Sequence, residues 1–154
     1  MNLPGITVKT TILCALLSAH PSVLFAISLT KVQDLEFGSF MGGAGYSGSI
    51  TVDPSGERYA SGRVRPMGNL FSPARFTLKG YPGEKYSITF PSVLQMDAAA
   101  EKVEVSSVTC SIPTRGVIPP AGAIGFAVGA TLSVGSTLGN GNYLGNLQVT
   151  VSEN

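Results

Sequence analysis

The chain is short of the side chains from which most enzyme sites are built. Its 154 residues include one histidine and two cysteines. His20 and Cys14 both lie in an N-terminal stretch that reads as a removable segment, so the remainder has no imidazole and a single thiol, Cys110. Without histidine a serine or cysteine nucleophile has no ordinary general base. Structural zinc is excluded too, since it needs about four His or Cys ligands. One cysteine cannot form an intramolecular disulfide, so the domain must be stable through its core. Charged residues are also scarce, at 12% with a formal net charge of +1, against the usual ~25%. They are scattered rather than grouped, which gives no electrostatic reason to expect nucleic acid or an anionic membrane as partner. No apolar run approaches the ~20 residues of a membrane span, including the stretch from Ala121 to Ala130.

What is present is apolar and glycine-rich: 44% hydrophobic residues and 19 glycines. That composition builds a core and many turns, and the length suits one domain. Residues 1–26 read as a signal peptide. Lys9 supplies the positive region, Ile12 to Leu17 begins the apolar region, and Leu24-Phe25-Ala26 is the cleavage site, so that the mature chain starts at Ile27 and forms one domain over 27–154. Cys14 lacks the small residue that a lipid-attachment site carries just before its cysteine, so a lipid anchor is not expected.

From Ile27 onward the pattern alternates with period two, the signature of strands with one buried face. Ile50 and Val52 alternate with Ser49 and Thr51 and run into Asp53-Pro54-Ser55-Gly56, a hairpin turn. Phe76 and Leu78 precede Gly80-Tyr81-Pro82-Gly83, and Tyr86, Ile88 and Phe90 follow it, which predicts a second hairpin. Asp97 to Glu101 reads as a loop or short turn. Val103 and Val105 are odd-numbered whereas Val108, Cys110 and Ile112 are even, so a β-bulge or strand break is predicted near Ser106-Ser107. The same alternation places Cys110 on an apolar strand face, a buried and inert thiol in preference to an intermolecular bridge.

Pro113, Pro119 and Pro120 predict a loop. Ile124, Phe126, Val128, Ala130, Leu132 and Val134 predict the central strand, and Asn140-Gly141 a tight hairpin into a last strand with Tyr143, Leu147, Val149 and Val151. Seven to nine short strands with turns at intervals of roughly 8–12 residues imply an all-β fold, an antiparallel immunoglobulin-like β-sandwich, with a small barrel as the alternative.

Motifs for chemistry do not survive their context. Gly43-Ala44-Gly45-Tyr46-Ser47-Gly48 has dinucleotide-loop spacing, but a strand follows it where a helix is needed to receive the pyrophosphate. Ser28-Leu29-Thr30-Lys31 matches S-x-x-K without its companion motifs and in extended sequence. Asp53, Glu57 and Asp97 are loop carboxylates without calcium-loop spacing. No catalytic, cofactor-binding or metal residues are therefore assigned, and the chain is not expected to be an enzyme. Arg58, Arg63, Arg65 and Arg75 form the only basic cluster. Arg63 and Arg65 share one face if extended, as a solvated sheet face or a patch for acidic glycans or a partner.

The segments Leu35-Glu36-Phe37-Gly38, Ile50 to Gly56, Ser72 to Gly80 with Pro82-Gly83, Tyr86 to Pro91, Gly129 to Gly135 and Gly141 to Val151 follow one another in an order that resembles a family of exported bacterial proteins known as a domain of unknown function, number 4402. Two positions depart from its pattern: Asn140-Gly141 stands where Pro-Gly is usual, and Cys110 is not part of it. The ending is similar to that of chaperone–usher pilin subunits and spore-coat U proteins. That resemblance implies an incomplete sandwich completed by a neighbour's strand. The expectation is then a pilin-like structural subunit of a surface fibre or coat. Ile27, Leu29, Leu35 and Phe37 are the candidate donor strand, unless they form the first strand of the chain's own sheet. Other fibre subunits, a periplasmic chaperone and an outer-membrane usher are the implied partners, with passage through the periplasm to the cell surface. The alternative is a secreted adhesin-like module for glycan or a host surface, using Arg63 and Arg65 with exposed aromatics such as Tyr46 or Tyr81.

Overall fold

The computed structural model describes residues 26–41, 45, 47–90, 94–98, 101–135, 141–145 and 147–153. Residues 1–25, and Gly43, Ala44 and Tyr46 of the glycine-rich run 43–48, lie outside them. The described chain is all-β, with thirteen strands and no helix: β1 (Ser28–Gln33), β2 (Leu35–Met41), β3 (Gly48–Val52), β4 (Arg58–Gly62), β5 (Arg65–Met67), β6 (Ala74–Lys79), β7 (Lys85–Thr89), β8 (Leu94–Ala98), β9 (Glu101–Cys110), β10 (Arg115–Val117), β11 (Ala123–Val134), β12 (Gly141–Gly145) and β13 (Thr150–Glu153). All pairings are antiparallel, in one seven-stranded sheet and two three-stranded sheets, β10-β7-β13 and β12-β2-β5. The small sheets pack over the large one as a sandwich, with β2 lying against β3, β6 and β11. The count exceeds seven to nine because very short strands and one divided strand each form a separate ladder.

β11 is the central strand that the alternation predicts. Val128 pairs with Ala74 and with Cys110, and Thr131 and Leu132 pair with both β3 and β9. β9 therefore runs along one edge of β11, while β6 and β3 follow one another along the other. Phe126, Val128, Ala130, Leu132 and Val134 all face inward and are buried. They meet Leu35, Phe37 and Phe40 of β2, Ile50 and Val52 of β3, Phe76 and Leu78 of β6 and Tyr86 and Ile88 of β7 in one cluster, where Phe76 stacks on Phe126 with ring centroids 5.4 Å apart. Each large side chain removed from water there contributes about 1.5–3 kcal/mol.

The turn at Asp53 forms the predicted hairpin, β3 to β4, with Gly56 N–H donating to the Asp53 carbonyl at 3.0 Å. The predicted break near Ser106-Ser107 is also present. The β9–β11 register shifts by one residue there, and Ser107 has φ 51, a left-handed conformation at the bulge.

Four expectations need correction. Gly80 to Gly83 does not make a hairpin, because both edges of β6 are taken, by β1 and by β11. The turn instead carries the chain to the other layer, fastened by Gly83 N–H to the Ile118 carbonyl and Ile118 N–H to the Glu84 carbonyl, both 2.8 Å. The last strand is divided: β12 pairs with β2 and β13 with β7, in different sheets, and β12 does not pair with β11. Asn140 itself lies outside the described residues. Asp97 belongs to strand β8, which pairs with β9, not to a loop. The proline-bounded loop holds a three-residue strand, β10, against β7, an edge position where flanking prolines leave no ladder unpaired.

An L-residue in the left-handed region costs about 1–2 kcal/mol. Ser107 already bears that cost, so Ser107→Gly is expected to raise stability by up to about 1 kcal/mol, and Ser107→Val, whose branched Cβ is tolerated less well there, to lower it. Urea unfolding midpoints of the two variants measure this.

Candidate functional site

Among the described residues no polar or charged side chain is fully buried, and no three His, Cys, Asp or Glu side chains converge as metal ligands. The positions of interest are therefore strand edges and surface patches.

The candidate donor residues occupy two strands in two sheets. Ile27, just before β1, and Leu29 within it are half-buried, and among the described residues β1 pairs only with β6, from Ser28↔Lys79 to Gln33↔Arg75. The register slips between Lys31 and Gln33, leaving Val32 exposed. Lys31 Nζ donates to Asp34 Oδ1 at 2.6 Å, and the Ile27 N–H to Glu153 Oε1 at 3.4 Å. Leu35 and Phe37, by contrast, are fully enclosed on β2. The shared parity of the four residues does not bring them to one surface, because the chain changes layer at Asp34.

The basic cluster also divides. Arg63 and Arg65 are exposed on either side of buried Val64, as their spacing predicts, and Arg75 is exposed on β6. Arg65 sits opposite Met41 in the β2–β5 ladder, so exposed Met41 and Met67 adjoin it. Tyr81 is exposed in the interlayer turn. Arg58 has a different role: its Nη1 donates to the Phe37 carbonyl at 3.3 Å, its Nη2 to the Gly68 carbonyl at 2.7 Å, and its guanidinium lies 4.4 Å from the centroid of the Phe71 ring. Partial burial pulls its pKa below the ordinary arginine value. The clasp depends on Gly38. The β2–β12 register slips at Phe37, Gly38 takes φ 76, and a Cβ there would lie 2.4 Å from the Leu70 carbonyl oxygen and 2.6 Å from Arg58 Nη1. Arg58 thus joins the edge of the large sheet to the bulge of β2. Sequence spacing placed it among surface charges because none of its three partners is close in the chain.

A family model described as Domain of unknown function (DUF4402) matches residues 27–152. The chain belongs to this family. No curated protein and no solved structure matches.

In this DUF4402 domain Cys110 packs half-buried against the core, and desolvation raises its pKa, so the thiol stays protonated and weakly nucleophilic. Asp53 is occupied as a turn residue: its Oδ1 accepts from the N–H of Ser55 at 2.8 Å and of Glu57 at 3.3 Å. The Ser55 hydroxyl bond, first among the causes, lowers its pKa. The Tyr59 hydroxyl donates to Glu57 Oε2, which occupies the second loop carboxylate.

Replacing Arg58 by alanine removes two charge-assisted bonds and the ring contact, and is expected to cost about 1–3 kcal/mol. Lysine should restore only part of this, because its ammonium cannot fork to two carbonyls. Denaturant midpoints of Arg58→Ala and Arg58→Lys check the order.

Proposed function

We propose that this DUF4402 domain is a structural subunit of a bacterial surface fibre or coat, assembling by β-strand exchange through its N-terminal strand. The observation that carries the reading is the attachment of β1. Among the described residues it pairs with a single neighbour and half-buries only Ile27 and Leu29. Detaching it would leave the core strands in place and expose the outer edge of β6, whose main-chain groups would then accept an equivalent strand from another copy. Since Leu35 and Phe37 belong to the core, the donated segment is residues 27–33. The alternation of half-buried Ile27 and Leu29 with exposed Ser28 and Thr30 gives such a strand the side chains for a register-specific fit. An unpaired β6 edge during export is a reason for a periplasmic chaperone, with an outer-membrane usher as the exit.

A second reading rests on Arg63 and Arg65 with Met41 and Met67: exposed cations beside apolar side chains suit an acidic glycan or a host surface.

Deleting residues 27–33 is expected to yield a subunit that no longer polymerises yet binds a synthetic 27–33 peptide, and Leu29→Asp in that peptide should weaken binding at least about tenfold. Failure of the truncated subunit to bind the peptide, with its circular dichroism intact, would remove the strand-exchange reading. Under the glycan reading, the paired change Arg63→Ala and Arg65→Ala abolishes signal on a glycan array; equal signal from both proteins rules it out.

A further inference from the structure

Among the edge strands whose side chains are described, all but β4 carry a feature that discourages pairing with another chain. β1 has its register slip and Lys31. β5 is three residues long and contains Pro66, β10 is three residues between prolines, and β13 is short and ends in Glu153. β4 has five consecutive pairs with β3 without a register shift, Gly62 taking φ 72 at the end of the strand, and Tyr59, Ala60, Ser61 and Gly62 are all exposed and uncharged. Such an edge is a template for a further strand.

The ladder shows which main-chain groups are free. Asp53 N–H donates to the Glu57 carbonyl at 3.0 Å and Arg63 N–H to the Ser47 carbonyl at 2.9 Å. Hydrogen-bonded and non-hydrogen-bonded pairs alternate in an antiparallel ladder. Tyr59 and Ser61 therefore bond to β3, and Arg58, Ala60 and Gly62 turn their N–H and C=O outward, with no partner strand among the described residues.

We propose that β4 is a self-pairing edge, two copies of this chain joining β4 to β4 antiparallel about a twofold axis at Ala60. The residue pattern is self-complementary in that register. Ala60 meets Ala60, Tyr59 meets Ser61, and Arg58 meets Gly62, which has no side chain to obstruct it. No like charges face each other, because the only charged residue, Arg58, is already bound to Phe37, Gly68 and Phe71 of its own copy. On the outer face Ser61 is hydrogen-bonded to Ser49, and Thr51 to Thr131, each at 2.9 Å, so rows of hydroxyls would extend across the join, while Glu57, which accepts from the Tyr59 hydroxyl, would lie opposite Arg63 of the other copy in this register. An isologous contact of this kind closes at two copies. It uses a different strand from β1 and stands or falls separately from strand exchange.

Sedimentation equilibrium of the freshly purified protein, before any strand exchange into fibres, is expected to give a dimer, and hydrogen exchange should show the amides of Arg58, Ala60 and Gly62 slowing as concentration rises. Ala60→Lys places two ammonium groups at the axis without touching the β3–β4 ladder, and Ala60→Pro removes an outward N–H; each should weaken the dimer at least about tenfold with circular dichroism unchanged. Ala60→Lys keeps the test valid if the proline variant fails to fold. A protein that is monomeric at all concentrations overturns the proposal. So does a dimer that Ala60→Lys leaves intact, or one that disappears on deleting residues 27–33 while persisting in Ala60→Lys.

Discussion

The pairing of β11 along both its edges is the constraint on which the other strands depend. A buried strand must satisfy every N–H and C=O through a neighbour, because no water reaches them. β11 meets that demand with β9 on one side and with β6 and β3 in succession on the other. Its alternate side chains then have a single dry face to occupy, and the residues of β2 and β7 close over them. Position in this sandwich is set by distance from β11: strands beside it are locked, and strands one step further out end the sheet, with no further strand paired to them among the described residues.

Where the ladders slip, the irregularity is put to use. Phe37 and Gly38 form an irregular step in β2 that frees a carbonyl for Arg58, and the missing Cβ of Gly38 leaves room for the guanidinium. The slip at Ser107 lets one long strand present the odd-numbered Val105 before it and the even-numbered Val108 and Cys110 after it to the same core. Both devices turn a fault in hydrogen bonding into a change of direction, which a two-layer fold of short strands requires.

Several strands end their sheets with peptide groups that no neighbouring strand takes up among the described residues. The proposed exchange of β1 and the proposed self-pairing of β4 draw on the same property, an unpaired row of peptide groups. They differ in what guards that row. β1 carries a lysine and a slip, as an occupied edge can; β4 carries neither.

The amino-acid sequence by itself determined the all-β class, the central strand, the first hairpin, the bulge and the solvent position of Arg63 and Arg65. Each of these depends on period-two burial or on a local turn, and neighbouring residues encode both. Only the tertiary structure decided which strands pair. Gly80 to Gly83 has every local mark of a hairpin, yet β6 had no free edge. Tyr143 to Val151 reads as one strand, yet its halves belong to different sheets. Leu35 and Phe37 share parity with Ile27 and Leu29, yet lie in another layer. Arg58 is indistinguishable in spacing from its neighbours, yet its partners come from two distant segments. Alternation states that a face is buried but not against what, and the partner is chosen by which main-chain groups remain unsatisfied once the rest of the sheet has formed.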